Sequence, residues 1–138
     1  MNIGLCHGVF DLLHFGHIRH LRTAREMCDR LVVSVTADRF VNKGPTRPVF
    51  PLEYRMEVIE ALSIVDEVVP SDAPSAVPNL QRLKPRYYFK HVEYKNSTHP
   101  GFLAEAAHCE QNGISLVFTE GEQGSSTAAL QRFLLAFK

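Results

Sequence analysis

Two hydrophobic patterns alternate along the chain. Short apolar runs of strand length, of which Leu31-Val32-Val33-Ser34-Val35 is the clearest, are typical of strands buried on both faces. Between these runs, apolar residues return at helical spacing, as at Ile18, Leu21 and Ala24. The runs predict strands over residues 2–7, 31–35, 65–69, 86–91 and 114–118. The spaced segments predict helices over residues 16–28, 51–62, 73–85, 100–111 and 127–137.

Strands that alternate with helices of this length predict a parallel sheet with right-handed crossover connections. We therefore expect a single Rossmann-like α/β domain over residues 1–138, with five parallel strands and helices on both faces. Ligands of such sheets bind beyond the carboxyl ends of the strands. Three loops, at residues 8–17, 91–94 and 120–127, are expected to converge there.

Composition narrows the class of protein without pointing to a macromolecular partner. Of the 138 residues, 45% are apolar and 22% are charged, as in globular proteins. The 15 basic and 15 acidic residues balance, which gives no electrostatic case for binding nucleic acid or a membrane. The apolar runs are too short to span a bilayer, and the N-terminus lacks the shape of a signal peptide. Because Cys6, Cys28 and Cys109 lack metal-ligand spacing, we expect a cytoplasmic protein with reduced thiols.

The stretch from Cys6 to His17 joins the first predicted strand to the first predicted helix. His14 and His17 share one face of the first helical turn, where free N–H groups and the helix dipole favour an anion. Gly16 between them has no Cβ and lets a ligand approach the main chain. These features predict a phosphate pocket with two imidazole donors. The same pair could bind a metal ion, but Asp11 is the sole further ligand nearby in sequence, so we expect no metal site.

Two further segments carry groups suited to an anion. The loop over residues 38–51 is rich in glycine and proline and contains Lys43 and Arg47, which makes it a candidate lid over a phosphate. The segment Ser125-Ser126-Thr127 stands at the start of the last predicted helix. Its hydroxyl groups can cap that helix, bind a phosphate at its N-terminus, or do both.

The segment Gly8-Val9-Phe10-Asp11-Leu12-Leu13-His14-Phe15-Gly16-His17 resembles the His-x-Gly-His signature of the nucleotidylyltransferase superfamily. Within it, the chain is most similar to bacterial cytidylyltransferases of the glycerol-3-phosphate type and to heptose-1-phosphate adenylyltransferases. Residues 46–56 and 65–69 resemble the middle of these enzymes, where an arginine meets the nucleotide phosphates. Residues 120–127 resemble their closing Ser-Thr motif, which binds the triphosphate.

The resemblance implies a transferase that moves a nucleoside monophosphate onto a small phosphorylated or phosphonylated acceptor and releases pyrophosphate. The candidate catalytic residues are His14 and His17 as donors to phosphate oxygens, and Lys43 and Arg55 as fixed positive charges. Mg²⁺ is expected to arrive on the nucleotide phosphates. The resemblance also suggests a homodimer with an interface around residues 55–70. The candidate nucleotide-binding residues are Gly8, Val9, Phe10, Asp11, His14, Gly16, His17, Lys43, Lys90, His91, Glu93, Glu120, Ser125, Ser126 and Thr127.

The sequence departs from both groups of enzymes where the donor base is recognised. The segment Lys90-His91-Val92-Glu93-Tyr94 follows the fourth predicted strand, and its lysine, acid and tyrosine are closer to the heptose enzymes, as are residues 47–55. His91 and Val92, however, stand where those enzymes have small residues. Their volume would narrow the base slot that we expect between residues 90–94 and 120–124, which favours CTP over ATP. The alternatives are an ATP-dependent adenylyltransferase acting on a sugar phosphate of the heptose-1-phosphate type, and a non-catalytic nucleotide-binding regulatory module.

Overall fold

The computed structural model describes residues 1–121 and 124–137 of the chain. Its strands are β1 (Ile3–Gly8), β2 (Arg30–Thr36), β3 (Glu67–Ser71), β4 (Tyr87–His91) and β5 (Ser115–Thr119). Its α-helices are α1 (Phe15–Met27), α2 (Leu52–Glu60), α3 (Val77–Leu83), α4 (Pro100–Gln111) and α5 (Ser126–Leu135). Short 3-10 helices span Asp38–Phe40 and Val92–Asn96, in segments predicted as loops. The predicted order of strands and helices is confirmed, although β3 begins two residues later than expected.

The five strands are parallel and lie in one sheet in the order β3-β2-β1-β4-β5. The chain first adds β2 and β3 on one side of β1 and then crosses to add β4 and β5 on the other side. β1 and β4 are therefore neighbours whose following segments leave in opposite directions, which opens a crevice between them. The prediction of a Rossmann-like five-stranded parallel sheet is confirmed.

Helices cover both faces of the sheet, because successive strand residues point to opposite sides. On one face, a buried cluster joins Cys6 and Val33 of the sheet to Leu21 of α1 and Ile59 of α2. On the other face, the sheet packs against α3 and α4 through a second buried cluster that includes Leu5, Val32, Tyr88, Leu80 and Cys109. Within the described part of the chain, no helix combines the length and the apolarity needed to cross a membrane.

Arg55 is a buried charge that joins the ends of two strands to the loop before α2. The residue is only 2% exposed. Its Nε donates to the Phe50 carbonyl at 2.9 Å, and its Nη1 donates to the carbonyls of Val9 and Thr36, each at 2.8 Å. Its Nη2 donates to the Asp38 carboxylate at 2.6 Å. A charge taken out of water is costly unless such partners surround it, so these contacts fix the loop relative to β1 and β2.

Replacing Arg55 with Ala is expected to destabilise the protein strongly, because three main-chain carbonyls and Asp38 would lose their buried donor. Breaking a buried charged network costs roughly 3–5 kcal/mol of unfolding free energy. Arg39→Ala is the matched control, since it breaks an ion pair with Asp72 whose side chains are 68% and 64% exposed. That pair should contribute less than about 1 kcal/mol. Urea unfolding measures both values, and equal losses would contradict the role given to Arg55.

Candidate functional site

The three predicted loops converge at the carboxyl ends of β1 and β4. His91, at the end of β4, donates from Nε2 to the Gly121 carbonyl in the loop after β5, at 2.9 Å. The loops after β1 and β5 also touch, because a Cβ built on Gly16 would lie 2.6 Å from the Gly124 nitrogen. The absence of a side chain at Gly16 is therefore what lets these two loops meet. Residues 122 and 123 of the expected base slot lie outside the described residues.

The two signature histidines form a capping box at the start of α1. His14 is the N-cap residue, and its Nδ1 accepts a hydrogen bond from the Gly16 N–H at 3.0 Å. His17 reaches back from the third helical position, and its Nδ1 accepts the His14 N–H at 3.2 Å. Because a main-chain N–H can only donate, both Nδ1 atoms are unprotonated and each ring carries its proton on Nε2.

The capping box leaves the two imidazoles side by side as neutral donors. Their ring centroids are 3.9 Å apart and the ring planes differ by 28°. Burial lowers the pKa of His17 to about 3 and also lowers the pKa of His14. Both rings are therefore neutral at pH 7. Because the capping box uses the two Nδ1 atoms, each ring has its Nε2–H group left to donate to a ligand.

A cavity of about 360 Å³ opens beside His17 at this edge of the sheet. Among the predicted site residues, those that line it are Gly8, Val9, Phe10, Gly16, His17, Lys43, Lys90 and His91. Lys90 is buried, and its Nζ lies 4.1 Å from the centroid of the Tyr94 ring. Burial lowers the pKa of Lys90, although the nearby charge of Glu105 opposes the shift. Lys43 thus brings positive charge to the cavity from the loop after β2, and Lys90 brings it from the end of β4.

The side chains of Asp11 and Arg55 make contacts within the protein that the sequence did not predict. The Asp11 carboxylate is buried and accepts the Val49 N–H at 2.6 Å, the Phe50 N–H at 3.1 Å and Arg47 Nε at 2.9 Å. Burial by itself would raise the pKa of Asp11, but these hydrogen bonds and the charge of Arg47 lower it overall. The Asp11 carboxylate therefore holds the loop before α2. Arg55 likewise has its guanidinium occupied by the protein and does not line the cavity.

Glu93, Glu120, Ser125 and Thr127 are not among the residues that line the cavity. The Glu93 N–H donates to His91 Nδ1 at 3.2 Å, and the side chains of Glu93 and Glu120 are exposed. Ser125 caps α5, since its Oγ accepts the Ala128 N–H at 3.1 Å. Thr127 Oγ1 accepts from Arg47 Nη1 at 2.6 Å. The side chain of Ser126 lies outside the described residues.

Sequence reasoning missed two histidines at this edge and the burial of Arg47. His20 lines the cavity with its Nδ1 2.6 Å from Thr119 Oγ1, and its place three residues after His17 was the signal that could have found it. His7 lines the cavity from the end of β1. Arg47 was assigned only to a lid, whereas its side chain is 1% exposed and paired with Asp11. In the described part of the chain, no group of three or more His, Cys, Asp or Glu side chains is placed to hold a metal ion.

Comparison with known proteins identifies a family model and relatives that match the chain. Residues 5–127 match the family model described as cytidylyltransferase-like. Bifunctional protein HldE from Cronobacter sakazakii is 38% identical over 125 residues, which cover 89% of this chain and 26% of that protein. The HldE protein of Alcanivorax borkumensis is 45% identical over 89 residues, or 63% of this chain and 19% of that protein. The chain thus spans about a quarter or less of the length of these relatives.

Two solved structures share the fold. A lipopolysaccharide core biosynthesis protein from Thermoplasma volcanium superposes with a TM-score of 0.71 at 22% identity, over 91% of this chain and 99% of that one. Pantoate-beta-alanine ligase from Francisella tularensis superposes with a TM-score of 0.66 at 15% identity, over 94% of this chain and 65% of that one. At these identities the superpositions speak for the fold alone.

Acid is expected to destabilise the protein through the histidines of this edge. Burial lowers the pKa of His7 and His17 to about 3 and that of His20 to about 4. Unfolded histidine has a pKa near 6.5, so between about pH 6.5 and pH 4 the unfolded chain binds more protons than the folded one. The contribution of these groups to stability is present above about pH 7. It is lost as the pH falls through that window.

Urea unfolding at pH 7 and pH 5 measures this loss. His20→Asn removes one of the low-pKa histidines, so the decline in unfolding free energy should become shallower by on the order of 1 kcal/mol. A decline equal to that of the wild type would show that His20 does not contribute to the pH dependence.

Proposed function

The chain belongs to the cytidylyltransferase-like family, and we propose that it transfers a nucleoside monophosphate from a nucleoside triphosphate to a small phosphorylated acceptor. One observation carries the proposal: the capping box that fixes His14 and His17 as paired Nε2–H donors beside a cavity with two lysines. Two neutral donors at the start of a helix match the oxygens of a phosphate. The positive charges of the two lysines are opposite in sign to the charge of the phosphates, and would attract them.

The reaction asks the protein for positioning and for charge stabilisation. A phosphate oxygen of the acceptor attacks the α-phosphorus, the bond from that phosphorus to the bridging oxygen breaks, and pyrophosphate leaves with the electron pair. His14 and His17 donate to phosphate oxygens on which negative charge accumulates. Because main-chain N–H groups occupy both Nδ1 atoms, neither ring can flip without losing a hydrogen bond. The donors are therefore oriented before the substrate arrives.

Lys43, Lys90 and magnesium would balance the charge of the substrates. Lys43 reaches the cavity from the loop after β2, and Lys90 reaches it from the end of β4. We propose that Lys43 contacts the nucleotide phosphates, and that the buried Lys90 supplies positive charge at the inner side of the cavity. Magnesium carried by the nucleotide neutralises part of the triphosphate charge when it is bound.

We propose ATP as the donor and a sugar phosphate as the acceptor. The sequence similarity to HldE proteins favours the adenylyltransferase alternative over the cytidylyltransferase prediction. Residues 47–55, together with the lysine, acid and tyrosine of residues 90–94, resemble the heptose-phosphate enzymes. The steric argument for CTP also loses support, because Val92, one of the two residues on which it rests, is not among the residues that line the cavity.

A homodimer remains a prediction of the resemblance. Tyr54 and Val58 of α2 are 51% and 50% exposed, so this helix presents apolar side chains next to and within residues 55–70. A second copy of the chain could cover them.

A donor competition tests the proposed function. With equal ATP and CTP and a panel of acceptors (sugar 1-phosphates including a heptose 1-phosphate, polyol phosphates and phosphonates), we expect ATP to be preferred by at least about tenfold in kcat/KM. Mass spectrometry of the products and pyrophosphate release provide the measurement. Predominant CMP transfer would restore the CTP prediction. No pyrophosphate from any pair of substrates would favour the non-catalytic nucleotide-binding module.

Substitution of the signature histidines tests their role as donors. His14→Ala and His17→Ala should each lower turnover about a hundredfold, the effect of losing one well-placed donor to a developing charge. Each change also removes half of the capping box, which by itself costs about 1 kcal/mol of stability. His14→Asn and His17→Gln are the controls, since Asn can cap a helix and Gln suits the third position of a capping box. Variants that recover both stability and turnover would reduce the histidines to helix caps.

A further inference from the structure

We propose that Glu105 is a positioning residue that keeps Lys90 positively charged for a phosphate group of the substrates; this inference rests on the proposed function. Glu105 belongs to α4 and is 4% exposed. It is the sole acidic residue among the described residues that line the cavity, and Lys90 lines the same cavity. The fold therefore brings one negative charge to the wall that carries this lysine.

The Lys90 ammonium group is buried without an acceptor. The residue is 8% exposed, and its Nζ forms neither a hydrogen bond nor an ion pair with the described residues. Its nearest partners are aromatic faces, since Nζ lies 4.1 Å from the centroid of the Tyr94 ring and 5.9 Å from that of the Tyr88 ring. Such faces attract a cation but do not replace its hydrogen bonds. A charged donor buried in this way calls for an anionic ligand.

The Glu105 carboxylate acts on Lys90 without touching it. Its Oε1 accepts the Tyr88 hydroxyl at 2.6 Å, and its Oε2 accepts the Ala76 N–H at 2.8 Å. Tyr88 and Lys90 are two residues apart on β4, so their side chains lie on the same face of the sheet, the face that α4 covers. Because both oxygens are held by other donors, Glu105 leaves the ammonium group available to a ligand. Its charge still favours the protonated form of Lys90 across the short distance between them.

Glu105 is also the one source of negative charge among the described groups around Lys90. Burial lowers the pKa of Lys90, and the charge of Glu105 opposes that change. The other titratable groups that line the cavity or face Lys90 are Cys6, His7, His17, His20, Lys43, Tyr88, His91, Tyr94 and His99. The histidines and Lys43 cannot carry a negative charge. Burial raises the pKa of Cys6 and of both tyrosines, so these groups stay protonated. Glu93 is exposed to water, which screens its charge.

Nuclear magnetic resonance of the lysine side chains measures the titration of Lys90 without requiring turnover, and Lys90→Met assigns its signal. Glu105→Gln removes the charge at nearly constant size. It can keep both hydrogen bonds, because the Tyr88 hydroxyl can accept as well as donate. We expect the titration midpoint of Lys90 to move to lower pH in this variant. Tyr88→Phe is the matched control, since it breaks a hydrogen bond of Glu105 but leaves the charge. It should lower the melting temperature and leave the midpoint near that of the wild type.

Calorimetric titration with inorganic phosphate measures the consequence for a ligand. At a pH between the two midpoints, Glu105→Gln should bind phosphate at least about tenfold more weakly than the wild type, because a charge-assisted hydrogen bond is lost. Below both midpoints it should bind phosphate at least as tightly, because a nearby negative charge is gone. Adding Lys90→Arg to Glu105→Gln should restore binding between the midpoints, because a guanidinium group stays charged without help. A purely structural Glu105 would instead weaken binding equally at every pH.

Magnesium ATP as a competitor distinguishes the two sources of the phosphate group. Competition with inorganic phosphate would assign the group to the nucleotide, and simultaneous binding would assign it to the acceptor; both results agree with Glu105 acting through Lys90.

An unchanged Lys90 midpoint in Glu105→Gln, or tighter phosphate binding by this variant at every pH, would overturn the inference and leave the proposed function intact. Should Glu105→Gln fail to fold, Glu105→Asp draws the carboxylate back toward α4, and it should also move the midpoint to lower pH. An unchanged midpoint would overturn the inference there too. A wild-type protein that binds neither ATP nor CTP would overturn the proposed function itself, whereas the titration of Lys90 would still test Glu105.

Discussion

Two buried charges of opposite sign hold the loops at the carboxyl edge of the sheet, and the site depends on them. Arg55 is surrounded by main-chain carbonyl groups and the Asp38 carboxylate, whereas Asp11 is surrounded by main-chain N–H groups and Arg47. A charge removed from water is costly unless its set of hydrogen bonds is complete. Both sets draw on the loop between β2 and α2. If that loop moved far, Arg55 or Asp11 would lose hydrogen-bond partners while still buried. These polar contacts therefore hold the loop in place beside the cavity.

Periodicity was enough to predict the fold, because parallel strands buried on both faces and amphipathic helices leave different patterns in a sequence. The boundary of β3 was missed for a local reason. Asp66 exchanges hydrogen bonds with the main chain of Leu31, accepting at 2.8 Å and donating at 2.9 Å, so the apolar Val65 before it stays outside the strand. The strand then runs through Pro70, which is tolerated because β3 lies at the edge of the sheet.

The candidate site was predictable only in part. Spacing alone placed His14 and His17 on one helical face, but it could not show that each ring would be fixed by a main-chain N–H. The charged residues posed a harder problem, because a sequence pattern does not tell which way a side chain points. Arg47 finds its partners 36 and 80 residues away in the chain, and Arg55 bonds to residues on two different strand ends. Such contacts depend on tertiary structure and leave no local signal.

The contact between Gly16 and Gly124 limits how this site can diversify. A side chain at either position would press on the other loop or on the His14 ring, and would move the starts of two helices apart. Neither position can therefore take a side chain unless these two loops move apart. His91 and Tyr94 border the same cavity without that constraint. Under the proposed function, we expect new donor selectivity to arise there, which separates the part of the protein open to redesign from the part that must be inherited unchanged.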